Sequence, residues 1–305
     1  MKIVFMGTPD FSVPILENLA KNHEVVLVVS QPDKPQGRKK ELVKTPIHQK
    51  AIDLNIECFQ PIDIKIDYQK ILDCNPDIIV TAAYGQMVPD EVLYYPKYKS
   101  INVHASLLPL LRGGAPIHKA ITRGYDKTGV TIMYMVSKMD AGDIIISRET
   151  PIYDNDNQKT LENRLSLIGK DLIIEALELI EKGDFTPIKQ DDSKATYASN
   201  VSKNMEHINF SKPCRKVFDL IRGLSPNPGA YGIINGIKVK IYESKIVDNN
   251  PHNEGEILET KKRLIIGLID GAIEVLDLQV EGKKRILVRD FLNGQKIFKE
   301  GDVIS

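Results

Sequence analysis

Asp77-Ile-Ile-Val-Thr81 is an apolar run of strand length with no polar alternation, and it decides how the first part of the chain is read. A strand wetted on one side alternates apolar and polar residues. A strand covered on both faces reads as a continuous apolar run. Lys2-Ile-Val-Phe-Met6 and Glu24-Val-Val-Leu-Val-Val-Ser30 have the same character, and 56–59 is a shorter piece of it. Helix signals lie between these runs, at 13–21, 45–53 and 68–74. Ser12 stands where an N-cap would, Pro14 is tolerated in a first turn, and Thr45-Pro46 opens the second helix. Strands alternating with helices predict an α/β domain with a largely parallel sheet between two helical layers.

The next strand carries the polar groups. Ile101-Asn-Val-His-Ala-Ser-Leu-Leu-Pro109 is followed by Arg112-Gly-Gly-Ala-Pro116. Asn102 and His104 are two apart, so on a strand they leave the same face. Each alone has a plain reading as a turn former or a structural histidine. Together, at the C-terminal end of a parallel strand, they stand where open α/β sheets bind ligands. An amide donor beside a titratable imidazole suits acyl transfer, in which one group holds an oxyanion and the other handles a proton.

Past residue 123 the pattern changes. Strands are expected at 129–136 and 143–146, joined through Lys138-Met-Asp-Ala-Gly142, and a long helix at 160–182. That helix has apolar residues at Leu161, Leu165, Ile168, Leu172, Ala176, Leu179 and Ile180, and Gly183 as its stop. Residues 184–206 are polar and aperiodic and read as a crossing between domains. A helix at 213–223 then precedes short strands at 231–234, 238–242, 255–258, 264–267, 272–278 and 286–288, the spacing of a small β-barrel or sandwich. The domains expected are 1–188 and 207–305, linked by 189–206.

Lys plus Arg (41) balance Asp plus Glu (41), so no global charge draws the chain to nucleic acid or membrane. A polyanion would need a local patch. Gln31-Pro-Asp-Lys-Pro-Gln-Gly-Arg-Lys-Lys40 offers one. It reads either as a solvated loop or as an arm that orders on phosphates. Lysine clusters at 238–245, 261–263 and 283–285 leave the same choice open for the barrel. Cys58, Cys74 and Cys214 have no CxxC spacing, so neither a metal knuckle nor a disulfide framework is expected. No leader and no bilayer-spanning run is legible, and a cytoplasmic, monomeric protein with no membrane association is expected.

Met6-Gly-Thr-Pro-Asp10 sits where a dinucleotide loop would begin, but it holds one glycine and lacks the Gly-x-Gly-x-x-Gly spacing. A tight strand-to-helix turn is the preferred reading, with a helix N-terminus able to face an anion. Asp140 falls in Met139-Asp-Ala-Gly-Asp143, which spacing alone reads as a hairpin turn. Its other reading is a carboxylate held close to His104.

Asn102-Val-His104, Ser106-Leu-Leu-Pro109, Arg112-Gly-Gly-Ala-Pro116 and Met139-Asp-Ala-Gly-Asp143 resemble the catalytic signature of the folate-dependent formyltransferases. The likeness covers the whole chain. Tyr84-Gly85 before Met87-Val88-Pro89 resembles the family's folate-lining strand end. Gln31-Pro-Asp33 with Gly37-Arg38 is similar to an insertion loop that contacts a tRNA acceptor end. Ile208-Asn-Phe-Ser211, the 221–230 stretch and Phe291-Leu-Asn-Gly294 resemble the opening and close of the C-terminal domain in the branch that formylates initiator methionyl-tRNA. One departure is Asn227, where family members often carry Trp.

The resemblance implies a Rossmann-like, mostly parallel sheet domain and an OB-like β-barrel. It implies 10-formyltetrahydrofolate as donor, initiator methionyl-tRNA as acceptor, and no metal. Asn102, His104 and Asp140 would be catalytic. Gln86, Met87, Val88, Ser106, Leu107, Leu108 and Pro109 would bind folate, and Arg38, Lys39 and Lys40 would bind tRNA. An amino-sugar nucleotide is the alternative acceptor, and a non-catalytic RNA-binding protein is the alternative from another class.

Overall fold

Ile3, Val4, Phe5 and Met6 of the first strand are completely buried, as a strand between two layers requires. The structure, a computed structural model, describes residues 1–37, 41–294 and 297–305. Along the chain run β1 (Lys2–Gly7), α1 (Val13–Asn22), β2 (Glu24–Val29), β3 (Lys34–Gln36), β4 (Glu41–Val43), α2 (Pro46–Asp53), β5 (Cys58–Phe59), α3 (Gln69–Asp73), β6 (Ile78–Ala82), α4 (Asp90–Leu93) and β7 (Ser100–His104). Then come α5 (Pro116–Thr122), β8 (Lys127–Tyr134), β9 (Ile144–Pro151), α6 (Gln158–Lys182), α7 (Cys214–Gly223), β10 (Ala230–Ile234), β11 (Ile237–Asp248), β12 (Ile257–Glu259), β13 (Leu264–Leu268), β14 (Gly271–Val280), β15 (Ile286–Leu287) and α8 (Val288–Leu292).

The described residues group into two compact units. One is Met1–Pro116, Lys127–Pro151 and Glu162–Ser199. The other is Ile117–Asp126, Ile152–Leu161 and Asn200–Ser305. In the first, a seven-stranded sheet has the order β5-β2-β1-β6-β7-β8-β9. The pairs from β5 to β7 are parallel, and β8 and β9 add antiparallel strands at one edge. The strand order reverses between β1 and β6, which makes a crevice at their C-terminal ends. The polar end of β7 lies on that edge, one strand further along.

Helix α6 covers the sheet closely. A Cβ at Gly169 would come within 3.0 Å of Val103 Cγ1 on β7, and Ser166 Oγ donates to the Phe11 carbonyl at 2.6 Å. Its buried stripe includes Leu161, Leu165, Leu172, Ile173, Ala176, Leu177 and Ile180. Each of the leucine and isoleucine side chains contributes about 1.5–3 kcal/mol when withdrawn from water. Ile173 and Leu177 extend the stripe read from sequence. Gly183 closes the helix in the left-handed region (φ 68°), with its N–H on the Leu179 carbonyl.

Several sequence expectations change. Ser12 makes no cap bond, because its hydroxyl donates to the Ala82 carbonyl at 2.6 Å and ties the first helical turn to the end of β6. The segment after β2 is not featureless, since β3 and β4 pair antiparallel within it. Strand β9 runs to Pro151, beyond the expected 146. Its outer half, Ser147-Arg-Glu-Thr150, lies on an edge strand with no apolar run to mark it. The strand expected at 286–288 is only Ile286–Leu287, and α8 follows.

In the second unit an antiparallel sheet runs β10-β11-β14-β13-β12, with β15 on β14. Asn235 (φ 51°) and Gly236 (φ 74°) form the two-residue turn that joins β10 to β11. Both central residues lie in the left-handed region that a type I′ turn demands. Register shifts along β11 mark bulges, which bend this long strand. Its core packs Val217 and Ile221 of α7 against Val239, Ile241, Leu264, Ile266, Ile273 and Leu278. Arg222 is buried against Asp219 at 2.8 Å and donates to the carbonyls of Tyr153 and Asp156. Asn227 is exposed, and its carbonyl faces His118 Nε2 at 3.3 Å. No described helix is long and apolar enough to cross a membrane.

Candidate active site

The C-terminal edge of the mostly parallel sheet gathers the polar groups. Register sets Thr81 of β6 beside Asn102 of β7. Thr81 Oγ1 donates to Asn102 Oδ1 at 2.7 Å, which fixes the amide with its oxygen turned inward. Asn102 Nδ2 has no hydrogen-bond partner among the described residues, so its two N–H donors remain free. Thr81 has a second acceptor, the Ile101 carbonyl, at 3.3 Å.

Two residues on, His104 is only 5% exposed. Its Nε2 lies 3.1 Å from the Leu111 carbonyl. A carbonyl only accepts, so Nε2 carries the hydrogen and Nδ1 is the nitrogen left for chemistry. Nδ1 faces Asp140 Oδ2 at 3.7 Å, close enough for charge attraction and too long for a hydrogen bond. Asp140 Oδ2 accepts the Gly113 N–H at 2.7 Å. The turn read from Met139-Asp-Ala-Gly-Asp143 is therefore real, and it also brings its carboxylate to His104.

Backbone strain accompanies this geometry. Leu111 (φ 60°), Asp140 (φ 50°) and Ala83 (φ 49°) all occupy the left-handed region without being glycine. Each costs about 1–3 kcal/mol, a cost that active sites often carry. The Leu111 conformation presents the carbonyl that holds His104. Thr131 of β8 steadies the loop below it, donating to the Ser106 carbonyl at 2.7 Å and accepting from Leu108 N.

The residues expected to bind folate occupy varied positions on this edge. Ser106 is buried, with its hydroxyl donated to the Leu110 carbonyl at 2.6 Å. Leu107 and Pro109 are half-buried, and Leu108 packs with Met133 and Ile144. Gln86 Oε1 accepts from Ile64 N at 2.9 Å, so its amide pins the 61–64 segment. Val88 belongs to the core, whereas Met87 is 45% exposed. Arg38, Lys39 and Lys40 lie outside the described residues. The base of their arm is described: Asp33 accepts from Thr45 N (3.1 Å) and Gln60 Nε2 (2.9 Å) and contacts His48 Nδ1 (2.8 Å). Burial pushes the Asp33 carboxyl up, but the bonds from Gln60, Thr45 and His48 outweigh it and hold it below its ordinary value.

Sequence reading did not find Thr81, Leu111 or Gln190 as parts of this site, and it held Gly113 only within the Arg112-Gly-Gly-Ala-Pro116 motif, with no role. Gln190 lies in the polar stretch expected to link domains, yet its amide reaches the Asp140 turn 50 residues away. Only the alternation of β6 with β7 could have hinted at Thr81. The others act through backbone groups or long-range contacts that no local pattern marks.

Two family profiles match this chain: Formyl transferase over residues 1–177 and Formyl transferase, C-terminal domain, over 200–296. The methionyl-tRNA formyltransferase of Staphylococcus aureus strain MW2 is 46% identical over 298 residues, covering 96% of both chains. Among solved structures, the N-formyltransferase of Helicobacter canadensis in complex with folinic acid and dTDP-3-aminofucose aligns with a TM-score of 0.69 at 24% identity, over 90% of this chain and 98% of that one. HypX from Aquifex aeolicus in complex with tetrahydrofolic acid aligns with a TM-score of 0.67 at 19% identity, over 100% of this chain and 50% of that one. At these identities the two structures speak to fold alone.

Proposed function

Since the chain belongs to the formyl transferase family, we propose that it transfers the formyl group of 10-formyltetrahydrofolate to the α-amine of initiator methionyl-tRNA. The near-complete coverage of a tRNA formyltransferase at 46% identity supports this acceptor over an amino-sugar nucleotide. The observation that carries the site is the unspent Asn102 Nδ2 on the same strand face as a histidine that meets a carboxylate.

The folate donor, when bound, supplies an electrophilic formyl carbon. The chain's residues fit such a group because Asn102 has free donors at the crevice edge. In this reading Asn102 Nδ2 donates to the oxygen that gains charge as the amine attacks. Thr81 holds the amide in place beforehand, so the donor costs no reorganisation during reaction. His104, anchored through Nε2, holds or moves a proton at Nδ1. Asp140, 3.7 Å away, offsets the positive charge the ring carries with that proton. Met87, Leu107 and Pro109 present the folate surface, Gln86, Val88, Ser106 and Leu108 shape it from behind, and Arg38, Lys39 and Lys40 contact the acceptor RNA. Residues 1–188 perform the chemistry, with Gln190 of the 189–206 segment packed on the Asp140 turn, and 207–305 help bind tRNA, in a cytoplasmic monomer that needs no metal.

The test supplies 10-formyltetrahydrofolate with charged initiator tRNA, with an amino-sugar nucleotide, or with neither. Formylated methionyl-tRNA in the first reaction alone is expected. Preferential formylation of the sugar nucleotide would overturn the acceptor assignment. Arg38→Ala should raise KM for the tRNA while leaving folate affinity unchanged, and a parallel loss of both would refute the arm's role.

A further inference from the structure

Gln190 is 8% exposed, and four hydrogen bonds to nitrogen and oxygen partners satisfy its whole side-chain amide, with Met133 Sδ a further contact of Nε2 at 3.9 Å. Nε2 donates to the carbonyls of Asp140 (2.9 Å) and Gly142 (2.7 Å). Oε1 accepts from Arg112 Nε (3.1 Å) and Nη2 (2.8 Å). The amide has one possible orientation. A flip would set its NH2 against the Arg112 donors and its oxygen against two carbonyls. Arg112 is itself completely buried. Its backbone is paired through Thr196 O and Ala198 N, and its Nη2 also meets Asp192 Oδ1 at 2.8 Å.

The turn that Gln190 grips is the strained one. Asp140 sits at φ 50°, and its carboxylate is held from the other side by Gly113 N. The chain Arg112–Gln190–Asp140 thus fixes the backbone from which that carboxylate projects towards His104. We propose that Gln190 is a positioning residue for formyl transfer: its amide locks the Asp140 turn so that the carboxylate faces His104 Nδ1. This rests on the reading that Asp140 works with His104.

Glutamate at 190 separates positioning from folding. It keeps the size and remains a partner for Arg112, now as an ion pair, but as a carboxylate it presents an acceptor to two carbonyls. The experiment is a kinetic cycle of Gln190→Glu, Asp140→Asn and the double variant, with thermal midpoints measured in parallel. Gln190→Glu should lower kcat about tenfold or more, with KM for either substrate changed less than about threefold, since it acts only through Asp140. In the Asp140→Asn background the same change should cost less than about twofold. Should Gln190→Glu fail to fold, Gln190→Met passes through the same cycle with the same result expected.

Wild-type kcat in Gln190→Glu, or an equal loss in both backgrounds, would overturn the inference while the Asp140 reading stands. Wild-type kcat in Asp140→Asn would remove that reading and the inference together.

Discussion

Asn102→Ala isolates the proposed oxyanion donor from the fold that holds it. The asparagine makes one side-chain hydrogen bond among the described residues, from Thr81 Oγ1. Removing it does not orphan that hydroxyl, which has the Ile101 carbonyl at 3.3 Å as a second acceptor. The net stability cost is therefore that of one ordinary hydrogen bond, about 0.5–1.5 kcal/mol. A domain with a typical margin of about 5–15 kcal/mol survives that. The kinetic cost is larger. Losing one preorganised oxyanion donor costs about 2.7–4 kcal/mol of transition-state stabilisation. At 1.36 kcal/mol per decade this lowers kcat by about 10²–10³. Single-turnover formylation with both substrates saturating, beside a thermal melt, measures the two effects separately. Asn102→Asp is the control. One carboxylate oxygen keeps the Thr81 bond, and the other puts negative charge where the oxyanion would form, so its loss should be at least as large. A folded Asn102→Ala protein with a kcat loss below about tenfold would refute the reasoning.

Gly113→Ala should damage both stability and turnover. Gly113 lies at φ 117°, and a Cβ there would approach the Ala198 carbonyl oxygen to 2.8 Å. Strain of this kind costs about 1–3 kcal/mol, and any shift loosens the N–H that holds Asp140; an unchanged melting midpoint would contradict it. Asp33 carries a pH signature. Its folded carboxyl sits below the unfolded value of 3.8, so it adds stability above that value and loses it as pH falls through the folded one. The stability gap between wild type and Asp33→Asn should be open near neutral pH and close below about pH 4, and a gap constant down to pH 2 would refute the assignment. The Cys58 thiol is pushed up to about 12 by burial, with Asp33 adding to the effect. At pH 8 about one thiol in ten thousand is then ionised, so iodoacetamide should spare Cys58 in the native protein and label it after unfolding.

Much of the sheet was legible because its strands are buried on both faces. Runs such as Ile78–Val80 and Val25–Val29 are apolar throughout, and no helix period competes with them. The hairpin of β3 and β4 is three residues a strand and largely exposed, so it carries no apolar pattern. Asn102 and His104 could be placed on one face because strand geometry fixes a period of two. The meeting of His104 with Asp140 could not be read. It depends on a residue in the left-handed region and on a backbone N–H from Gly113. Gln190 was hidden more deeply. A glutamine in a polar stretch looks solvated until Arg112 and the Asp140 turn are seen around it.

The most direct measurement of the central claim is a crystal structure with an unreactive formyl-folate analogue bound. The formyl oxygen should lie about 3 Å from Asn102 Nδ2, with His104 Nδ1 and Asp140 bordering the same space. An analogue bound with its formyl group more than about 6 Å from Asn102, beyond direct or water-bridged contact, would contradict it.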